Sequence, residues 1–406
     1  MLNRPQGTSQ QRGNHMARVV NTQLLRKIKR HGAGGTLDVS ACFNCGNCVA
    51  VCPLAEDSTG FPRRMIRMAQ VGMEEELLAS EDLWRCYACG ECTETCPREA
   101  DPASFMAATR SYATARYDFT GLAGLANRSA VGNLAVFAIF SAVFTLLLAS
   151  RQQASTPDAP LFNFLPGEWI HNIGVVLFIV VGLSAAFGVF SMFLRFRAEQ
   201  GRKGVALRFT ALPGALVQAL IDALLHTRFQ ICESGEQTPP KPEEPWYKRT
   251  WVVHAAVMGG FLAMLVATTL DFLLKPIGSP AAPWYPMRIL GAVGGLVCLY
   301  GLAFVLARRW RAQEVPWKKS SFSDWFFPLL LAATVLTGLV TEIAVYAPMG
   351  TLGHAAFFAH VVLAMDLVAL LPLTKFAHVL YRTLALVLFA WRHAPAAETA
   401  AANAEA

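Results

Sequence analysis

Eight of the ten cysteines in this 406-residue chain stand in one pattern written twice: Cys42, Cys45, Cys48, Cys52 before Pro53, then Cys86, Cys89, Cys92, Cys96 before Pro97. Each copy reads C-x2-C-x2-C-x3-C-P, the run that holds cubane iron–sulfur clusters. Three closely spaced thiolates wrap one face of a cluster, while the fourth, set off by three residues and a proline, points away and ligates the other cluster. The spacing therefore predicts two crossed [4Fe–4S] centres, one on Cys42, Cys45, Cys48 and Cys96 and one on Cys86, Cys89, Cys92 and Cys52. Zinc usually takes its four ligands as two separated pairs, and disulfides need an oxidising compartment that nothing in the chain suggests. The expectation is a wire for single electrons. Five of the nine histidines, His171, His254, His354, His360 and His378, lie in or at the ends of long apolar runs. Ionisable side chains there are costly and usually functional.

The composition says what must position these groups. With 54% hydrophobic and only 16% charged residues, the chain is not that of a soluble protein, and all eight motif cysteines precede the apolar runs. Residues 1–34 form a polar, basic N-terminal segment with a disordered start, and 35–117 form the two-cluster head. Residues 118–394 form a membrane domain and 395–406 a disordered tail. Apolar periodicity between the motifs makes the head helical. Six segments near the ~20 residues that cross a bilayer follow: about 131–150, 170–194, 251–274, 287–307, 326–346 and 355–381. The fold class is thus all-α, an α-helical ferredoxin domain fused to a six-helix transmembrane bundle. Within the loop 195–250, residues 205–228 read as an interfacial or docking helix pair, and 233–248, with four prolines, as a linker.

Basic residues set the orientation. Arg195, Arg197, Arg202 and Lys203 follow the second segment and Arg308, Arg309, Arg311, Lys318 and Lys319 the fourth, so positive-inside places the head and both termini in the cytoplasm, against the inner membrane. Membrane topology accounts for the net charge of +7 better than nucleic acid does. On this topology His254 and His378 lie towards the cytoplasmic side, and His171, His354 and His360 towards the periplasmic side. Haem b takes two imidazoles from opposite faces at one depth. The pairing expected is His254 with His378 for one haem and His171 with His360 for a second, His354 being the alternative outer ligand from a loop. His360 and His378 on one final helix would stand about 27 Å apart, too far to share a haem. Asp366, Glu342 and Lys375 read either as proton or quinone contacts or as helix pairing, Cys232 and Cys298 as ordinary thiols, and His226 carries no assigned chemistry.

The segment PRRMIRMAQVG, followed by a tryptophan two residues before CYACGECTETCP, resembles the small iron–sulfur C subunit of heterodisulfide reductase, over about residues 35–115. The final histidines, with LPLTKFAH, and WVVHAAVMGGF on the partner helix, resemble the haem-binding γ subunits of nitrate reductases and the membrane E subunit of heterodisulfide reductase. Nitrate reductases carry a second histidine ten residues along that partner helix, and here the position is Met264, which leaves the count at one haem or two. The fusion resembles the C subunits of quinone-interacting membrane-bound oxidoreductase (Qmo) complexes. That resemblance implies soluble flavin-containing partners similar to the A subunit of heterodisulfide reductase, and electron exchange between adenylylsulfate reductase and membrane quinone in sulfur metabolism. The chain has no G-x-G-x-x-G fingerprint, so any flavin or nicotinamide chemistry belongs to partners. Two other expectations stand beside this one: a member of another heterodisulfide-reductase-like respiratory complex, and a redox-sensing membrane anchor without haem.

Overall fold

A computed structural model describes residues 20–32, 39–153, 160–234, 244–274, 282–313, 315, 317–347 and 349–394. The expected N-terminal disorder, most of the proline linker and the tail lie outside them. The described residues form helices and turns, and no strand occurs among them.

The head is built on short helices because its sequence alternates brief apolar faces with motif turns. Arg63–Gln70 buries Met65, Ile66, Met68 and Ala69, one face of a helix. Pro102–Tyr117 starts with proline in its first turn and Asp101 as its cap, the carboxylate accepting the Ser104 N–H at 3.2 Å. These helices close on Leu24, Ile28, Leu77, Leu83, Trp84, Phe105 and Tyr117, all essentially inaccessible. Fully burying one such aliphatic or aromatic side chain stabilises the fold by about 1.5–3 kcal/mol, which helps to hold the two motifs in register.

Six helices are long and apolar enough to cross a membrane: Ala130–Ala149, Gly167–Arg202, Thr250–Leu274, Pro286–Arg311, Phe322–Tyr346 and Gly350–Leu370. We call them the first to sixth spans. The third and fourth approach backbone to backbone, where a Cβ on Gly260 would stand 2.5 Å from the Gly294 carbonyl, the small-residue contact favoured between membrane helices. The second span exposes Val176, Phe178, Ile179, Val180 and Leu183, as a lipid-facing helix does.

The last expected segment, 355–381, is not one helix. Gly350–Leu370 ends before Pro372, which has no N–H to give the carbonyl four residues back. A single turn, Lys375–Ala377, then leads into a separate C-terminal helix, His378–Arg392. His360 and His378 therefore sit on two helices, and the single-helix separation does not apply. His354, expected in a loop, lies inside the sixth span.

The C-terminal helix is where the head docks. Tyr381 packs on Trp84 and Tyr117, with ring centres 4.9 and 5.0 Å away, and the buried Arg85 lies 3.3 Å over the Phe389 ring. Arg392 pairs with the buried Glu81 at 2.8 Å, Lys319 with Asp101 at 2.8 Å, and Arg195 with Glu75. Arg195, near the end of the second span, and Lys319, after the fourth, thus lie on the head's side. The stretch 205–228 forms a helix pair, Phe209–Leu225 and Thr227–Glu233, bent by 51°. Its first member buries Ala215, Ala219 and Asp222 and exposes Leu216, Leu220 and Leu224.

Candidate functional site

The eight motif cysteines surround two cavities in the crossed sets. Cys42, Cys45, Cys48 and Cys96 line one, and Cys52, Cys86, Cys89 and Cys92 line the other. Glycines make the turns: Gly46 at φ 96° and Gly90 at φ 95° each stand before a one-turn helix, Asn47–Ala50 and Glu91–Glu94. Backbone N–H groups already point at sulfur, Ala88 at Cys86 Sγ and Ala100 at Cys96 Sγ, both at 3.4 Å. Burial, then the neighbouring thiols, push Cys48 up to about 11, and burial with Cys86 pushes Cys52 up to about 12. Such sites favour protonated thiols until iron displaces the protons. Among the described residues no three His, Cys, Asp or Glu side chains gather tightly enough to hold a single metal ion. Four thiols spaced round a cavity, with N–H donors to sulfur, fit a cubane.

The two cavities differ in depth. Cys45 is exposed and its neighbour Phe43 is 58% exposed, so the outer site lies at the surface. The inner site lies against the membrane half. Tyr87 there stacks on Phe229 at 4.9 Å and lies beneath the Arg382 guanidinium at 4.3 Å, and Arg382 also donates to the Cys86 carbonyl at 2.5 Å. Cys232, read from sequence as an ordinary thiol, lines this inner cavity with the four motif cysteines. Only the folding of residues 227–234 against the head reveals it. Cys298 is different, fully buried in the fourth span.

Next to Phe229 stand three histidines. The His254 ring is 5.8 Å from Phe229, 4.9 Å from the ring of His226 and 6.4 Å from that of His378. His378 Nδ1 donates to the Lys375 carbonyl at 2.8 Å, and His254 Nδ1 meets His226 Nε2 at 2.7 Å. For both His378 and His254, Nε2 is left for another partner, the habit of metal-ligating histidines. Two imidazoles on one iron put their ring centres roughly 6 Å apart, from two bonds of about 2 Å and two half-rings. The His254–His378 pair fits a haem iron on that spacing. His226 had no signal in the sequence, being 28 residues from its partner.

The other pair is not drawn together. His171 stacks on Phe272 of the third span at 4.5 Å. His360 lies against Gly338, where an added Cβ would come within 2.8 Å of its ring, and its Nδ1 donates to the Thr334 carbonyl at 2.9 Å. Among the described residues no ring contact or hydrogen bond joins His171 to His360. His354 packs on Phe164 at 4.7 Å. Met264 packs into the apolar core with Val335 and Leu339. Of the other polar leads, Glu342 pairs with Arg288 at 2.8 Å and Lys375 with Asp324 at 2.5 Å, which makes both helix-pairing groups. Asp366 is fully buried, accepting from Ser141 at 2.5 Å with its other oxygen unpartnered.

Comparison with known proteins covers both halves. Residues 38–100 match the model of a 4Fe-4S dicluster domain, and residues 119–402 match the model described as Citrate utilization protein B. The C subunit of the H(2):CoB-CoM heterodisulfide,ferredoxin reductase of Methanothermobacter marburgensis is 34% identical over 65 residues, 16% of this chain and 34% of that protein. The iron-sulfur C subunit of the CoB--CoM heterodisulfide reductase of Methanopyrus kandleri is 35% identical over 48 residues, 12% of this chain and 25% of that protein. The chain thus spans about a third or less of the curated relatives it matches. No solved structure matches it.

Proposed function

The chain belongs to the citrate utilization protein B family, and on that premise we propose that it is the membrane electron-transfer subunit of a quinone-interacting oxidoreductase. In this reading a cytoplasmic redox partner delivers electrons at the outer cysteine site, and a membrane quinone receives them. Bound at the two thiol sites and between His254 and His378, [4Fe–4S] clusters and haem b supply one-electron carriers in series. The protein's own contribution is position. The observation that carries the reading is the continuity of the inner site with the histidines: Tyr87 stacks on Phe229, and Phe229 meets the His254 ring edge-on at 5.8 Å. Arg382, four residues beyond His378, ties the same helix to the Cys86 carbonyl. A second haem between His171, near the start of the second span, and His360, midway along the sixth, would need those two imidazoles brought together, and is the second part of the proposal.

The partner is proposed to be a soluble flavoprotein, which would split a two-electron oxidation into single electrons. The family description names citrate utilization, so the partner is proposed to draw its electrons from citrate metabolism. That source is favoured over adenylylsulfate reductase because the family model spans most of the chain, whereas the sulfur link rests on resemblance to the Qmo subunits alone. The head is assigned to the cytoplasm on the positive-inside pattern.

The test is a pyridine haemochrome assay with an iron count on the detergent-purified chain, repeated for His254→Ala, His378→Ala and His171→Ala. The expected result is eight cluster irons per chain, about four per centre, with haem lost in the first two variants. Haem lost also in His171→Ala establishes the second site. Iron without haem in the unaltered chain overturns the reading and favours a redox-sensing anchor.

A further inference from the structure

The last helical carbonyls of a helix have no intrahelical donor, and Leu224, at the end of Leu212–Leu225, is among them. His226 follows in a left-handed conformation, φ 55° and ψ 30°, at the bend into Thr227–Ser234. A non-glycine residue there is strained, and such backbone persists where its surroundings demand it. What this backbone achieves is specific: it turns the imidazole back so that Nδ1 reaches the Leu224 carbonyl at 3.2 Å and Nε2 reaches His254 Nδ1 at 2.7 Å.

The direction of the two bonds follows from chemistry. A carbonyl only accepts, so His226 carries its proton on Nδ1. A neutral imidazole then has a lone pair on Nε2, and among the described residues the buried His226 bonds the Leu224 carbonyl and His254, with no carboxylate on either nitrogen. His254 must therefore donate through Nδ1–H, which leaves its own Nε2 as a lone pair. His378 and His360 reach the same state through one bond each to a backbone carbonyl, Lys375 and Thr334. His254 lies in the second turn of the third span, and the partner its Nδ1 meets comes from another segment, His226.

We propose that His226 is a positioning residue that locks His254 in the tautomer whose Nε2 binds haem iron, and that by accepting its Nδ1–H it lowers the reduction potential of that haem. The inference rests on the haem reading above. An acceptor on the far nitrogen makes an imidazole a stronger donor to iron and so favours the oxidised metal. The same short helix carries Phe229 to the His254 ring and Cys232 to the inner thiol site, so the tautomer lock and the contact between the two redox sites are set by one bend.

The experiment compares the full chain with His226→Ala and His226→Gln in detergent, measuring haem per chain, the haem midpoint potential by redox titration, and the low-spin electron paramagnetic resonance spectrum, with cluster iron as the control for folding. His226→Ala is expected to raise the potential, shift the low-spin signal and weaken haem retention by roughly 10–100-fold. His226→Gln, whose side-chain oxygen also accepts, is expected to restore all three towards the unaltered protein. Unchanged potential and spectrum in both variants overturn the inference and leave the haem reading standing. Equal losses in both, with cluster iron retained, overturn it as well, because they assign His226 to packing. An unaltered chain without haem overturns the parent reading, and the inference with it.

Discussion

The two copies of the cysteine motif are the same device in different surroundings. Asn44 and Ala88 both have positive φ, 62° and 56°, and each copy has its left-handed glycine and its one-turn helix. Each carries an aromatic residue after its first cysteine. In the first copy this is Phe43, mostly exposed, and in the second it is Tyr87, held between Phe229 and Arg382. Each copy also has an aspartate five residues beyond its fourth cysteine, and both aspartates take a cation from the membrane half: Asp57 from Arg228 and Asp101 from Lys319. The motif's local geometry is thus set by spacing, and the asymmetry of the wire by what the membrane half brings to one side.

The largest break in this comparison tests the crossing. Cys52→Ala, in the first copy, should remove the centre held by the second, and Cys96→Ala the reverse. Each variant should lose about half the cluster iron, with electron paramagnetic resonance showing the inner signal lost in the first and the outer in the second. Uncrossed losses would refute the ligand sets.

Next come the glycines. Both are left-handed, so alanine at either costs about 1–2 kcal/mol in strain. A Cβ on Gly90 would also stand 2.6 Å from Val315, whereas on Gly46 it meets only the tip of Arg63 at 3.2 Å. Gly90→Ala should lower the melting temperature more than Gly46→Ala, and equal losses would mean that Val315 yields freely.

The aspartates give a pH signature. Asp101 is partly buried, which alone would raise it, but Lys319 and the Ser104 and Thr93 donors outweigh burial and hold it below the usual carboxylate range. A lowered carboxyl contributes stability above the unfolded value, about 3.9, and loses it as pH falls through the folded one. The stability gap between the unaltered chain and Asp101→Asn should therefore be full at neutral pH and close in acid, by thermal unfolding at a series of pH values.

The smallest effect concerns Cys232. As a fifth thiol on the inner cavity alone, Cys232→Ala should leave the iron count unchanged while altering the inner centre's resonance spectrum and sparing the outer one. A loss of inner iron would make it a ligand.

Local signals carried most of what the sequence could reveal. The cysteine sets depend on spacings of two and three residues, and the spans on length and apolarity, so both are legible in one dimension. The helix break at Pro372 was also local, yet the apolar run on either side hid it. What the sequence did not disclose is contact between distant segments: His226 with His254, Cys232 with the inner motif, Arg288 with Glu342, Asp324 with Lys375. Each joins residues on different elements, and no periodicity encodes such a meeting.

The docking of the head has a consequence for kinetics. Tyr381 lies against Trp84 and Tyr117, Arg85 covers Phe389, and Arg392 is paired with Glu81. The ring contacts bury aromatic groups that a released head would have to return to water, and parting Arg392 from the buried Glu81 would leave that carboxylate without its partner. A head held in this way is no swinging carrier that collects its load in one place and discharges it in another. Its turnover should be indifferent to added viscogen, with any sensitivity to crowding arising only in the encounter with its soluble partner.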